Sequence, residues 1–439
     1  MKVAVVGSGI AGLSAAYRLH RHAELTLFEA GSYFGGHTHT VDVTLPVDGR
    51  DTVHGVDTGF LVYNDRTYPQ LMALLRELGV ATARSDMSFS VQVGATATGR
   101  ALEWSGSSLN TVFAQRRNLL NPRFLGMLRD LLRFNALTTG IAQSQSESAL
   151  QQPLGDFLRE HRFSEAFCDW YFLPMMACIW SCPTAQMLQF PVATMVRFCH
   201  NHGLLQVRNR PQWWTVRGGA REYVQKIIAL ITDKRLRTPV RAIQRHAEGG
   251  GVLLSTDAGT EHFDKVVIAT HSDQALALLT DPTQAECEAL GAIRFHRNRA
   301  VLHTDASVLP SRRAAWAAWN YESTPSAPGS GTQHNQVCLH YLINLLQPVP
   351  WSQPVVVSLN PQREIDRASI VGEFDYAHPI FDTAAVRAQG AMTQLQGLAD
   401  TYYSGAWLGY GFHEDGVKSG DAAARLILNA VHHPSGAGR

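Results

Sequence analysis

The 439-residue chain has little charge, little cysteine and no long apolar run, and each shortage closes a class of function. Only 17% of it is charged, and 38 basic against 37 acidic residues leave a formal net charge of +1. That balance excludes the concentrated positive field a general nucleic-acid binder needs. Six cysteines (Cys168, Cys178, Cys182, Cys199, Cys287 and Cys338) are too few for a disulfide scaffold, and no CxxC pair occurs. They read as buried thiols of a reducing, cytoplasmic compartment. No apolar stretch reaches the roughly 18 residues of a membrane-crossing helix. GxSxG, HExxH and P-loop patterns, internal repeats and low-complexity tracts are all missing. What remains is a 45% hydrophobic chain, long enough for two or three domains, with a large interior or an apolar cavity.

The N-terminus carries the most specific pattern. Residues 2–6 (KVAVV) form a short apolar strand of the kind buried in a parallel sheet. Gly7, Gly9 and Gly12 follow as GxGxxG, with Ile10 and Ala11 opening a helix. A second strand, residues 25–29, ends in Glu29, 17 residues after Gly12. Between strand and helix, with an acid at ribose distance, this is a dinucleotide-binding fingerprint. Gly7 permits the tight turn, Gly9 lets the backbone approach a pyrophosphate, and Gly12 allows close helix–strand packing. The helix N-terminus offers unpaired N–H groups to phosphate. Glu29, with Ala30 beside it, favours an unphosphorylated ribose.

Four further stretches extend the pattern by resemblance. Gly35, Gly36 and His37, followed by Thr38, resemble the GG-Arg extension of flavoproteins. Residues 56–80 resemble the flavin amine oxidase segment in which a small-residue loop, here Thr58, Gly59 and Phe60, lies by the flavin. That loop leads into a helix with Leu71, Leu74, Leu75 and Leu78 on one face. Strands predicted at 239–243 and 252–255, a turn at 249–251 and a buried strand at 265–270 resemble the second half of the FAD domain of the glutathione reductase-like superfamily. The resemblance implies that the backbone of Val240 contacts the adenine. Residues 402–428 resemble the closing motif of flavin amine oxidases, phytoene desaturases and protoporphyrinogen oxidases. There Gly405 and Trp407 follow a strand, while Glu414, Asp415 and Gly416 open a last helix facing the flavin. That helix carries Val417, Ala422, Ala423 and Leu426.

Together with FLPMMACIWS (172–181), FCHNHGLL (198–205), VRGGAREYV (216–224), LHTDASVLPSRRAAWAAWNY (302–321), FDYAHPIFD (374–382) and GYGFHEDGVKSG (409–420), these motifs resemble a bacterial branch of that superfamily. The branch accompanies cyclopropane-synthase-like lipid methyltransferases. The resemblance implies an α/β fold with a glutathione reductase-like, FAD-binding Rossmann domain (1–85, 205–290 and 395–439). It also implies an inserted α+β substrate domain (86–204 and 291–394). It implies a lipid acyl or other hydrophobic substrate and a lipid methyltransferase as partner. Two departures matter. The lysine that amine oxidases keep near flavin N5 has no counterpart, and no Cys stands in the C-terminal motif. FAD is therefore expected to be non-covalent. No second GxGxxG provides for NADPH.

Outside the cofactor segments the residues leave alternatives open. The aromatic, Met-rich stretch 169–180 suits a tunnel wall or an ordinary core equally, as do Trp213, Trp214, Trp316, Trp319 and Tyr321. Residues 116–134 place Phe124, Leu128, Leu131 and Leu132 on one face among Arg116, Arg117, Arg123, Arg129 and Arg133. That reads as a packed surface helix or as one lying on an anionic membrane at the inner face. The pairs His37/His39 and His200/His202 would share a strand face, but no acidic or Cys partner stands near, so no metal is expected. Residues 432–439 read as a disordered end.

The first expectation is an FAD-dependent oxidoreductase that takes a hydride from a methylated or unsaturated acyl chain, as a desaturase or isomerase. His413, Tyr410, His271 and Tyr63 are the candidates to handle the accompanying proton. A flavin amine oxidase, with Trp407 and Tyr410 as its cage, is the alternative. A non-catalytic flavoprotein partner of a lipid methyltransferase is the third.

Overall fold

The strand Lys2–Val6 sits at the centre of a parallel sheet, where a run without polar alternation has to be. The computed structural model describes residues 1–95, 100–144, 152–204, 210–246, 250–323 and 337–432. Among these the sheet has five strands in the order Asp233–Arg235, Glu24–Phe28, Lys2–Val6, Lys265–Ile268, Thr401–Tyr403, each neighbouring pair parallel. The chain leaves Lys2–Val6 for one side and later returns on the other. Its carboxyl end is thus the switch point at which open α/β sheets bind ligands.

Helix Ile10–Leu19 covers this sheet, and the last helix, His413–His432, lies against it. A Cβ on Gly416 would meet Ile10 Cγ2 at 2.6 Å, and one on Gly420 would strike the Ala11 carbonyl. The two helices therefore touch at backbone distance. This contact sets the inner stripe of the last helix at positions 416, 420, 423, 424 and 427. Val417, Ala423, Ala424 and Ile427 are buried, while Ala422 and Leu426 face solvent.

The strands Val240–Arg245, Val252–Thr256 and Gly259–Phe263 form an antiparallel meander. Gly249 of the turn expected at 249–251 lies outside the described residues. A second, mixed sheet runs in the order Ile370–Pro379, Phe295–His303, Val356–Leu359, Cys338–Leu342, Trp319–Ser323, Phe89–Val93, Leu102–Ser105 among the described residues. Against it pack helices rich in Phe and Met. Tyr171, Phe172, Met176, Cys178 and Trp180 of the aromatic stretch are core, and the six cysteines are free thiols.

Residues 116–134 are not one helix. A 3₁₀ turn, Arg116–Leu120, ends before Pro122, and an α-helix, Pro122–Ser144, starts there. Pro122 suits a first helical position, and Asn121 Oδ1 accepts from the N–H groups of Arg123 and Phe124 as its cap. Phe124, Met127 and Phe134 face the core, Leu128 and Leu131 are half-buried, and Leu132 is exposed. The two His pairs are not on strands. His37 and His39 lie in the loop before strand Thr40–Val47. His200 and His202 end helix Val192–Asn201, where His202 stacks on Phe198 at 3.8 Å. The expected disordered end falls, after His432, outside the described residues.

Candidate cofactor and substrate cavity

The glycine turn is built by exclusion. Gly7 has φ +102°, and a Cβ there would meet the Ala269 carbonyl oxygen at 2.8 Å; a Cβ on Gly12 would strike the Gly7 carbonyl. Gly9 differs: a Cβ there meets nothing within 4 Å. Its Cα faces open space at the N-terminus of helix Ile10–Leu19, where unpaired N–H groups favour an anion. Gly36, at φ +59°, crosses above, its Cβ position 3.1 Å from Gly9 Cα. Glu29 lies beside the turn, accepting from the N–H groups of Ser8 (3.0 Å) and Gly31 (2.7 Å).

The turn opens into a cavity of about 680 Å³, within the range of small-molecule sites. One part of its wall is Gly7, Ser8, Gly9, Ile10, Ala11, Glu29, Ala30, Thr238 and Val240. Another is apolar: Met87, Ile179, Phe198, Leu204, Trp213, Trp319, Tyr341 and Phe412. Among the described residues no Lys, Arg or Asp lines it, and Glu29 is its one acid.

Imidazoles stand between. His37 is half-buried, and its Nε2, itself buried, has no hydrogen-bond partner among the described residues. Burial, helped by the neighbouring His271, lowers the His37 pKa to about 4, so the ring is neutral. His378 lies 5.3 Å from His37, ring to ring, and takes a 2.8 Å contact from Asn298 Nδ2. His271 stacks on Phe295 at 4.2 Å, and burial lowers its pKa as well. His413 stacks on Phe60 at 3.6 Å, and burial holds it well below the ordinary imidazole value. Its Nε2 is engaged by Thr38 Oγ1 (3.1 Å) and Tyr223 Oη (3.0 Å).

The sequence-predicted residues divide accordingly. Gly7, Gly9, Ile10, Ala11, Glu29, Ala30, Gly36, His37, Gly59, Phe60, Val240, Gly405, Trp407, His271 and His413 line the cavity. Gly12 stands behind the turn. Thr38 holds His413, and Thr58 hydrogen-bonds Tyr376 Oη at 2.6 Å. Glu414 is placed elsewhere: its carboxylate accepts from the N–H groups of Gln70 (3.1 Å) and Leu71 (2.9 Å), capping helix Pro69–Glu77. Asp415 closes its own turn, accepting from Tyr410 and Phe412 N–H, and Gly416 packs on Ile10. Tyr63 and Tyr410 do not line the cavity; Tyr63 lies in the core and Tyr410 is half-buried beside Phe198. Ile179, Trp213 and Trp319 reach the wall, while Trp214, Trp316 and Tyr321 do not.

Sequence reasoning missed Ser8, Tyr223 and Gln389. Gln389 Nε2 donates to the carbonyls of Trp407 (2.8 Å) and Gly409 (2.6 Å), holding the segment before the last helix. His378 was also missed as a wall residue, although it stands within the quoted motif FDYAHPIFD.

A dinucleotide cofactor fits this wall. Gly9 leaves a cradle that a side chain would fill, two helix N-termini face it, and His37 Nε2 is a buried polar atom awaiting a partner. For a metal, the described group whose ligand atoms converge is Glu322, Cys338 and His340. Its carboxylate is already compensated by Arg363 at 2.7 Å and His340 at 2.9 Å.

The family "flavin containing amine oxidoreductase" matches residues 10–344. No curated protein matches the chain. Among solved structures, cyclohexylamine oxidase from Brevibacterium oxydans is similar over 98% of this chain and 99% of its own, with 16% identity and a TM-score of 0.68. A putrescine oxidase bound to putrescine shows 16% identity and a TM-score of 0.66, over 98% of this chain and 99% of its own. A CLA-producing fatty acid isomerase from P. acnes shows 14% identity and a TM-score of 0.64, covering 97% and 98%. At such identities the likeness is one of fold.

Proposed function

The chain belongs to the flavin containing amine oxidoreductase family and is a flavin enzyme; from that premise we propose that it binds FAD non-covalently and oxidises, or isomerises by transient hydride removal, a fatty acyl chain. The proposed division of labour is that of a cofactor domain (1–85, 205–290, 395–439) and a substrate domain (86–204, 291–394). Membership of an enzyme family leaves the non-catalytic reading without support.

The observation that carries the acyl-chain reading is the uncharged wall. Met87, Ile179, Phe198, Leu204, Trp213, Trp319 and Tyr341 can hold a methylene chain and exclude water. An amine arrives protonated in water, and a polyamine carries several charges. No carboxylate but Glu29 lines the described wall to meet them, and Glu29 lies at the glycine turn.

A bound flavin supplies a two-electron acceptor for hydride. The chain does the rest. The open face of Gly9 and the helix N-terminus would hold the pyrophosphate, and Glu29 would meet the ribose. His37 Nε2, buried and without a partner among the described residues, would offer the cofactor a hydrogen bond. The apolar wall orients the chain. Of the four proton-handling candidates, Tyr63 and Tyr410 do not line the cavity, and His413 Nε2 is held by Thr38 and Tyr223. His271, neutral and positioned by Phe295, is the group we assign to accept the proton.

The test is anaerobic mixing of purified yellow protein with detergent-dispersed methylated or unsaturated phospholipid, and separately with an amine panel. Bleaching of the flavin absorbance by lipid alone is expected. Bleaching by amines alone overturns the reading in favour of an amine oxidase. If neither bleaches it, a shifted double bond in recovered lipid supports the isomerase form, and unchanged lipid overturns both forms.

A further inference from the structure

Exposed leucine is concentrated in one basic segment. The three most exposed large apolar residues of the described chain are Leu120 (89%), Leu109 (80%) and Leu132 (61%). Leu119 and Leu125 in the same stretch are also exposed. Leucines at this exposure normally occur singly.

The segment's architecture holds them outward. Phe113 and Phe124 meet at 5.9 Å and Trp104 and Phe124 at 6.1 Å, so the short helix Leu109–Val112 and the start of helix Pro122–Ser144 share one inner anchor. Arg116 ties the 3₁₀ turn back to this helix by donating to the Phe113 carbonyl at 3.0 Å and to Asn110. With Phe124, Met127 and Phe134 committed to the core, Leu125 and Leu132, seven residues apart, share the outer face.

The charge is as lopsided as the hydrophobicity. Residues 109–133 contain five arginines (Arg116, Arg117, Arg123, Arg129 and Arg133) and one acid, Asp130, a net +4 in a chain whose total is +1. Asp130 is buried and reaches Arg133 only at 3.5 Å and Arg129 at 4.0 Å; Glu165 reaches Arg123 at 3.9 Å. Arg129 and Arg123 stay mostly exposed beside the leucines. Arginine stems flanking exposed leucines suit an interface that is anionic outside and apolar a few ångströms in.

We propose that residues 109–133 dock the enzyme on the surface of an anionic phospholipid membrane, with Leu109, Leu119, Leu120, Leu125 and Leu132 entering the headgroup boundary. No helix of the described residues is long and apolar enough to cross a membrane, so the contact is one of surface attachment. The acyl-chain reading gives this docking its use, while the docking rests on the surface itself.

The test uses flavin-loaded protein and vesicle co-sedimentation without turnover. Vesicles containing phosphatidylglycerol are compared with pure phosphatidylcholine, at low and high salt. Binding to the anionic vesicles, weakened at least about tenfold by salt or by the neutral lipid, is expected. Leu120→Asp with Leu125→Asp should lower binding by at least about tenfold at unchanged flavin content. Leu398→Asp, at an exposed leucine outside the segment, should leave it unchanged. No binding to anionic vesicles overturns the proposal, as does equal binding by the double variant. It is also overturned if the double variant instead dissociates a dimer in sedimentation velocity, which would make this face a contact between copies. Detergent-dispersed lipid tests the acyl-chain reading without any membrane, so the two fail separately.

Discussion

Thr38 and His413, 375 residues apart in sequence, are joined by a 3.1 Å hydrogen bond between Oγ1 and Nε2. Tyr223 Oη closes the triangle, 2.5 Å from Thr38 and 3.0 Å from His413. All three side chains are buried. The loop after the glycine pair, the helix Arg221–Ile228 and the N-terminus of the last helix thereby become one unit on the cavity wall. Thr38→Val removes one hydroxyl of the triangle, so that His413 Nε2 and Tyr223 Oη keep their mutual 3.0 Å contact but each loses one partner. We expect a loss of about 1–3 kcal/mol in urea unfolding and a lower flavin-to-protein absorbance ratio. An unchanged ratio would show that the triangle is scaffolding without influence on the cofactor.

Gly9 gives the sharpest test of the cofactor site. Its backbone, φ −63° and ψ 174°, is open to any residue, and a Cβ there meets no protein atom within 4 Å. Gly9→Val should therefore fold with a thermal midpoint close to that of the flavin-free parent and yet purify colourless. A yellow variant would place the pyrophosphate elsewhere. Gly7→Val and Gly12→Val are worse probes, because their Cβ atoms collide with backbone carbonyls and unfolding would mimic cofactor loss.

The glycines were legible because a positive φ, or a carbonyl in van der Waals contact, selects glycine by itself. Gly7 and Gly12 are such positions, and a strand–turn–helix frame surrounds them. Glu414 and Gly416 show where this kind of reading stops. An acid near N–H groups serves a ribose or a helix N-terminus alike, and a glycine serves a cofactor or a neighbouring helix alike. Only the packing of the last helix on Ile10–Leu19 and Pro69–Glu77 decides between them. His378 had no local signal. It reaches the cavity through the pairing of strand Ile370–Pro379 with Phe295–His303, which sets it opposite His296. The helix at 116–134 was misread because its apolar spacing ignored Pro122, which starts a new helix rather than continuing one.

The buried histidines make stability fall in mild acid. Burial lowers His37, His202 and His303 to about 4, and holds His378 and His413 well below the ordinary imidazole value. Unfolded, each returns to about 6.5. Below that value the unfolded chain binds more protons than the folded one. Stability is therefore intact above about pH 6.5 and declines as pH falls toward 4, by up to about 1.4 kcal/mol per pH unit for each histidine fully titrating. Urea midpoints measured across this window should show the slope. His37→Asn should reduce it by about one histidine's share. An identical slope would mean that His37 takes a proton in the folded state.

His271 separates chemistry from binding. As the proposed proton acceptor, its replacement in His271→Asn should lower the rate of flavin bleaching by about 10²–10⁴-fold. Flavin content should be retained, because the contacts proposed for the dinucleotide are those of the glycine turn, Glu29 and His37, and His271 is not among them. Stopped-flow absorbance under anaerobic conditions reads the rate, and the ratio of flavin to protein absorbance reads the content. Loss of flavin with a normal rate in the remaining holoenzyme would move His271 from the substrate to the cofactor.

Behind the cavity, one buried ion pair fixes the far edge of the parallel sheet. Arg245 of the meander meets Glu286 at 2.5 and 3.0 Å, and Tyr403 Oη donates to the same carboxylate at 2.5 Å. Burial alone would raise the Glu286 pKa, but Arg245, Tyr403 and the Thr283 donors outweigh it and hold it at about 2. The stabilisation is present above the ordinary glutamate value and is lost as pH falls toward 2. Arg245→Met leaves the carboxylate buried without its cation and should cost about 3–5 kcal/mol at neutral pH. Glu286→Gln keeps a hydrogen-bonding group of the same shape and should cost less near pH 3, where the parent carboxylate has begun to lose its advantage, than at pH 7. Tyr403 ends a strand of the cofactor sheet, two residues before Gly405 on the cavity wall. Arg245→Met should therefore also weaken flavin retention on dilution, which fluorescence of the released flavin measures. Destabilisation without flavin release would confine the pair's influence to the meander.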